Sequence, residues 1–216
     1  LKTTEDSYTV AEISSFQLET VHEFHPVVSA ILNITPDHLN RHHTMECYAH
    51  TKERIAKNQN KSDVCVLNME DEELYRFGKE CSASVVWFSS RRKPCKGAYL
   101  DGNNIRYTDG VTDKIMLNVH DMNLLGTHNY ENVCAAIAMT KAVGIPDDII
   151  IEQIKNFKAV EHRIEYVATK NGVWYYNDSK GTNPEASVKA IEAMVRPTIL
   201  IGGGYDKGSE FDMYVK

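Results

Sequence analysis

The stretch NITPDHLNRHH, residues 33–43, crowds Asp37, His38, Arg41, His42 and His43 onto the turn that leaves an apolar run, Val27 to Ile34. Glu12 stands in a comparable place, at the end of the alternating run Tyr8 to Ile13. If the two runs are adjacent strands, a carboxylate and an imidazole meet at one edge of a sheet. Oxygen-rich coordination with one nitrogen suits Mg²⁺ or Mn²⁺. The same residues could equally be a solvated strand end and a helix cap, and spacing alone leaves both readings open.

A second constellation lies at Asp178-Ser179-Lys180, followed by Thr182, Asn183 and Pro184. Hydroxyls and an ammonium ahead of a helix that starts at Pro184 make a cradle for a phosphate or carboxylate, since unpaired amides at a helix start attract anions. Ordinary capping by Thr182 or Asn183 fits the same residues. The run IGGGYDKG, residues 201–208, lacks the G-x-G-x-x-G order of a dinucleotide loop and is more simply a tight turn. Nowhere does the chain carry G-x-x-x-x-G-K-[ST], so a phosphate loop for ATP would have to lie elsewhere. His22, His25, His42 and His43 read as surface residues, and Cys65 and Cys134 as core.

These residues need elements to hold them. Tyr8 to Ile13 and Val27 to Ile34 read as strands, the second apolar enough for burial on both faces of a parallel sheet. Ser14 to Phe24 reads as a short helix, Thr44 to about Gln59 as a longer one, and Val64 to Leu67 as a strand. Helix 71–79, strand 85–88, a hairpin over 99–107 on Asp101-Gly102-Asn103-Asn104 and strand 115–119 follow. A helix is expected over 130–143, capped by Asn129 and stopped by Gly144 and Pro146, then another over 147–157. From about residue 160 the strands VEHRIEYV, GVWYYND and PTILIGGG, with a helix over 184–194, look like the βαβ opening of a second domain. The expected fold class is therefore α/β, a mostly parallel sheet flanked by helices in residues 1–160, with an incomplete second domain in residues 161–216.

A net charge of -6 and no basic stripe argue against nucleic acid as a partner; Arg91-Arg92-Lys93 reads as a solvated turn. Five cysteines without a C-x-x-C pair suit a reducing compartment, so the cytoplasm is expected. No apolar run approaches the roughly 18 residues of a membrane helix, and the start, LKTTEDSYTVAEISS, is neither a signal peptide nor an initiator Met. A fragment is expected.

Taken in order, EISSFQLE, NITPDHLNRH, YAHTKERI, GTHNYENVCAA, EHRIEYV, NDSKGTNPEAS and GGGYDKGSEF resemble the successive motifs of the Mur ligases, ATP-dependent amide ligases of peptidoglycan precursor synthesis. The form SSFQLE resembles the branch that joins D-glutamate to UDP-N-acetylmuramoyl-L-alanine. The resemblance implies a central ATPase domain that begins after its phosphate loop and the start of a Rossmann-like C-terminal domain that brings the amino acid. A piece lacking the phosphate loop is expected to be inactive alone.

Position by position, the resemblance implies Glu12 and His38 as Mg²⁺ ligands and Lys52 as a lysine carbamylated by CO₂, whose carboxylate holds a second Mg²⁺. It implies Asn129 and Asn132 at adenine, and Arg163 and Asp178 at the ribose and phosphates of ATP. Lys180, Thr182 and Lys207 match residues that hold the amino acid or its acyl-phosphate partner. Ser14 and Gln17 match contacts to the muramoyl substrate. Catalysis would fall to His38, Lys52 and Lys180. The implied chemistry is an acyl phosphate formed from ATP, then attack by the D-glutamate amine. A sister Mur ligase, a folylpolyglutamate synthase and a non-catalytic relic of the fold remain as alternatives.

Overall fold

The computed structural model describes residues 4, 7–158, 160–182 and 184–204. It divides into two compact units, Leu1–Val86 and Trp87–Lys216.

In the first unit, helix α1 (Ser15–Leu18) opens on a capping box. The Ser14 hydroxyl accepts from the Gln17 amide and the Gln17 side chain accepts from the Ser14 amide at 2.8 Å. Strand β1 (Val28–Ile31) follows, then α2 (Leu39–His42) and α3 (Met45–Glu53). Thr44 caps α3 through the Cys47 amide, and the helix runs on into a tighter turn, Arg54–Ala56. Strand β2 (Val64–Asn68) lies parallel to β1, with Val28 opposite Val64 and Ile31 opposite Leu67. Its Cys65, Val66 and Leu67 are fully buried, which is why this strand is an unbroken apolar run and not an alternating one. Helix α4 (Glu72–Glu80), capped by Asp71, buries Leu74 and leads into β3 (Ser84–Ser89) beside β2.

The expected strand over Tyr8 to Ile13 does not form. No sheet partner is hydrogen-bonded to this segment among the described residues, and Val10 is 88% exposed. Alternation marks a segment able to line a sheet, yet only a ladder of partner amides and carbonyls makes a strand. Helix α1 is likewise shorter than the expected helix, ending at Leu18.

The second unit begins within β3, whose Trp87, Phe88 and Ser89 pair in parallel with Gly97, Ala98 and Tyr99 of β4 (Gly97–Asp101). The hairpin to β5 (Asn104–Thr108) turns at the expected residues, and β6 (Asp113–Asn118) adds antiparallel to β5. The strand order is β1-β2-β3-β4-β5-β6. Helix α5 (Thr127–Ala142) packs on β4 and β5, burying Val133, Cys134, Ile137 and Ala138. It starts earlier than expected: Gly126, at φ 91°, turns the chain in, so Asn129 lies inside the first turn and does not cap. Helix α6 (Asp147–Asn156) follows as expected.

Beyond it, β7 (Glu165–Lys170) and β8 (Val173–Asn177) form a separate antiparallel hairpin. Its turn, Asn171-Gly172, has positive φ at both residues, the geometry that matches strand twist. Helix α7 (Pro184–Glu192) is present, but PTILIGGG is not a strand, and Ile199 and Ile201 are more than nine-tenths exposed. The expected βαβ unit is thus absent among the described residues, because residues 197–204 pair with no other strand there. Nor is any described helix long and apolar enough to cross a membrane.

At Gly97, at φ 143°, the two backbones run so close that an added Cβ would sit 1.8 Å from the Trp87 carbonyl oxygen. The β3–β4 ladder can close only on glycine. Gly97→Ala should therefore cost about 3 kcal/mol in urea unfolding, the range of overpacked cores; a loss within experimental error would contradict this ladder.

Candidate active site

The first group of candidate residues gathers where β1 leaves the sheet. The Ile34 amide donates to Asp71 Oδ2 at 2.7 Å while the other Asp71 oxygen accepts from Leu74, so one carboxylate caps α4 and anchors the exit loop. Two turns of chemistry follow from that anchor. Asp37 accepts from the His38 amide at 2.8 Å, and its second oxygen lies 3.5 Å from His38 Nε2. His38 is at φ 53°, a left-handed conformation that this local hydrogen bond helps to hold. It occupies the cap position of α2, yet its ring makes no capping hydrogen bond and is half exposed. The cap reading of His38 therefore accounts for its backbone and leaves its imidazole available.

Lys52, on α3, does not extend into water. It is half-buried, its Nζ donates to the Asn33 carbonyl at 3.0 Å, and it lies 4.9 Å from the centre of the Tyr48 ring. The helix register that would suit a solvated lysine instead aims its amine at the loop carrying His38.

His42 departs most from the sequence-based expectation. It is only 2% exposed, with Nε2 3.0 Å from Ser15 Oγ and Nδ1 3.6 Å from Glu19 Oε1. Its ring stacks with Phe16 at 5.7 Å, and Phe16 in turn lies 4.9 Å from the His38 ring. Arg41 closes this group with paired hydrogen bonds to Glu19, which hold that carboxyl below its usual range, the His42 charge adding to the effect. Arg54 grips the carbonyls of Leu18, Glu19 and Val21, satisfying the end of α1. A pair of adjacent histidines gave no hint of this; the only signal was their place directly after Arg41. His25 also has a partner, Asp63 at 2.7 Å, though it remains largely exposed.

Ser14 and Gln17, exposed at the start of α1, are hydrogen-bonded to each other in the capping box. Glu12 is exposed ahead of them and makes no hydrogen bond or ion pair among the described residues. The structure therefore brings His38 against Phe16 of α1, the helix that Ser14 and Gln17 open, and Lys52 to the loop, but shows no bond between Glu12 and His38 among the described residues. Among the described residues no three His, Cys, Asp or Glu side chains converge on a metal position.

The second group lies wholly in the other unit. The ends of the β7–β8 hairpin knit the segments HRI and NDSKG together. Asp178 Oδ1 accepts from the Ile164 amide at 3.0 Å, the Lys180 amide donates to the His162 carbonyl at 2.9 Å, and Asn177 bonds the His162 ring. Arg163, Lys180 and Thr182 are exposed around this knot. On α5, Asn129 donates to the Leu125 carbonyl at 2.6 Å and Asn132 is exposed. Lys207 lies outside the described residues.

His128, which the sequence reading passed over, connects these parts. Burial is the largest influence on it and lowers its pKa; Lys189 and Arg163 lower it further, against Glu131 and Asp178. It lines a cavity of about 410 Å³ with Ser90, Arg91, Thr127, Glu131 and Lys189. The α5 start, Arg163 and Asp178 are thus within electrostatic reach of one imidazole.

Two comparisons decide the family. Residues 1–140 match the Mur ligase middle domain. The chain is also 83% identical, over all 216 residues, to a UDP-N-acetylmuramoylalanine--D-glutamate ligase of Lachnospira eligens, covering 48% of that protein.

This chain belongs to the Mur ligase family.

It spans about half the length of the curated relatives it matches. Among solved structures, MurF from Acinetobacter baumannii aligns at TM-score 0.62 and 17% identity, over 80% of this chain and 38% of that one. MurF from Thermotoga maritima, solved with ADP, aligns at TM-score 0.58 and 20% identity, over 79% and 39% respectively. At such identities the likeness is one of fold. In this Mur ligase chain the α/β architecture is therefore both observed and shared with its relatives.

A depressed histidine pKa makes a neutral ring the favoured folded form. Any stability this gives is present above the unfolded pKa and is lost as pH falls through the folded one. His128 should thus titrate below the ordinary histidine range by NMR, and Lys189→Ala should raise its midpoint. A midpoint at or above the ordinary value would refute the packing around α5.

Proposed function

We propose that the longer protein of which this sequence forms about half is an ATP-dependent ligase that joins D-glutamate to UDP-N-acetylmuramoyl-L-alanine in the cytoplasm. The observation that carries the reading is the 83% identity, without a break in coverage, to a relative named for that reaction. On this reading residues 1–160 belong to the central ATPase domain and residues 161–216 begin the C-terminal domain. This division differs from the compact units, whose border falls inside β3.

The donor chemistry fits a Mg²⁺ ion. Glu12 offers carboxylate oxygens, His38 an imidazole free of capping duty, and Lys52 an amine aimed at the same loop. Once carbamylated, Lys52 supplies a carboxylate as well. Bound Mg²⁺ supplies charge neutralisation on phosphate oxygens.

The chain's own groups take the remaining roles. Ser14 and Gln17, preset by the capping box, hold the muramoyl substrate. Asn129 and Asn132 meet the adenine, and Arg163 and Asp178 the ribose and phosphates. Lys180 stabilises negative charge on the transferring phosphoryl group, and Thr182 and Lys207 hold the amino acid. The substrate carboxylate attacks the γ-phosphorus in line, ADP leaves, and the D-glutamate amine displaces phosphate from the acyl phosphate through a tetrahedral intermediate.

The test is phosphate release by the full-length protein with ATP, Mg²⁺, UDP-N-acetylmuramoyl-L-alanine and a panel of amino acids. Release dependent on D-glutamate is expected; release with another amino acid would assign a sister ligase. Lys52→Ala should lower kcat at least about 100-fold, as loss of a preorganised charge does. Formate or acetate should restore part of it, and no rescue would count against the carbamate.

A further inference from the structure

Beyond the Asn171-Gly172 turn, two non-glycine residues of the second unit have a left-handed backbone among the described residues, and they stand on either side of Arg163. His162 is at φ 67° and Ile164 at φ 46°. A β-branched residue rarely takes that conformation, and such strain persists only where the surroundings over-determine it. The Ile164 side chain is buried, 8% exposed, and its amide donates to Asp178 Oδ1 at 3.0 Å. The His162 amide donates to Glu165 Oε2 at 2.8 Å, and the His162 carbonyl accepts from the Lys180 amide at 2.9 Å. Asn177 Nδ2 lies 2.8 Å from Nδ1 of the His162 ring. Between these two fixed residues Arg163 is exposed.

We propose that residues 162–164 form a strained backbone clamp that aims the Arg163 guanidinium at the polyphosphate of the nucleotide, with Glu165 and Asn177 as its positioning residues. The start of β7 by itself needs no left-handed isoleucine, since glycine or asparagine takes the same backbone at little cost. The bonds that enforce it come from two sides. Glu165 holds the His162 amide from β7, while Asn177, Asp178 and Lys180 hold His162 and Ile164 from the end of β8. The Gly181 amide closes the same frame on the Asp178 carbonyl at 2.8 Å. Arg163 thus stands on backbone tied directly to the segment that carries Lys180 and Thr182. A cation presented from a fixed backbone loses less freedom on binding a phosphate than one on a mobile loop, because its ordering is already met on folding. The clamp bears on catalysis through the contact of Arg163 with ATP, and so rests on the ligase reading.

The test is a double-mutant cycle on the full-length protein, read as kcat/KM for ATP. Arg163→Ala sets the scale: no loss would discard the reading of Arg163 as a nucleotide contact, and the clamp with it. Against such a loss, Glu165→Ala should lower kcat/KM for ATP about tenfold or more, since small misplacements of a binding group are costly. In the Arg163→Ala background the same change should cost less than about twofold, because the group it positions is gone. Glu165→Gln, whose amide oxygen still accepts from His162, should stay within about twofold of the wild type. Equal losses in both backgrounds, no loss in either, or a glutamine variant as impaired as the alanine one would each overturn the clamp and leave the ligase reading standing. Should Glu165→Ala not fold, Asn177→Ala takes its place in the cycle. Independently of activity, the Ile164 amide of the wild-type protein should be protected from hydrogen exchange, and Asn177→Ala should weaken that protection. An unprotected Ile164 amide in the wild type would overturn the proposal.

Discussion

The exit of β1 is the point on which the first unit turns. A parallel strand ends with carbonyls and amides that no further ladder satisfies, and here two of them are taken up by side chains from different helices. Asp71 receives the Ile34 amide while capping α4, and Lys52 donates to the Asn33 carbonyl from α3. Each bond brings a charged group to the mouth of the sheet, where open α/β folds place their ligands. The backbone's need for partners and the site's need for charge are met by the same atoms.

A second layer of restraint comes from buried polar groups. His42, Ser15 and Glu19, with Arg41 at the rim, form a network in which each member is satisfied, and among the described residues no buried side-chain nitrogen or oxygen lacks a partner. Such networks specify one arrangement, because removing a member strands the others in a low dielectric. Through Phe16, which touches both rings, the network reaches His38. Arg54, Asn58 and Gln59 extend the same logic along residues 18–26, whose carbonyls they collect from the far end of α3. This segment has little regular structure of its own and is positioned almost entirely by side chains.

Much of the fold was legible because local and global preferences agree. The apolar run at β2, the Asp-Gly-Asn-Asn turn between β4 and β5, the helices expected from Thr44 and from residue 71, and Gly144 after α5 all carry their conformation in their own chemistry. The misses share a cause. Tyr8 to Ile13 and PTILIGGG have strand composition but pair with no strand among the described residues, and a ladder is a property of two segments. Asn129 has capping chemistry, yet Gly126 turns the chain sooner, so the helix begins before the cap is reached.

By itself the sequence determined the class of fold, the family motifs and the residue types able to meet a metal, a phosphate or an amide nucleophile. Tertiary structure alone decided which of them meet. It buried His42 against Ser15 and turned Lys52 toward Asn33. It placed His128 within electrostatic reach of Arg163 and Asp178. Burial, and the partners it imposes, depends on segments far apart in the chain, which spacing along one strand or helix cannot encode.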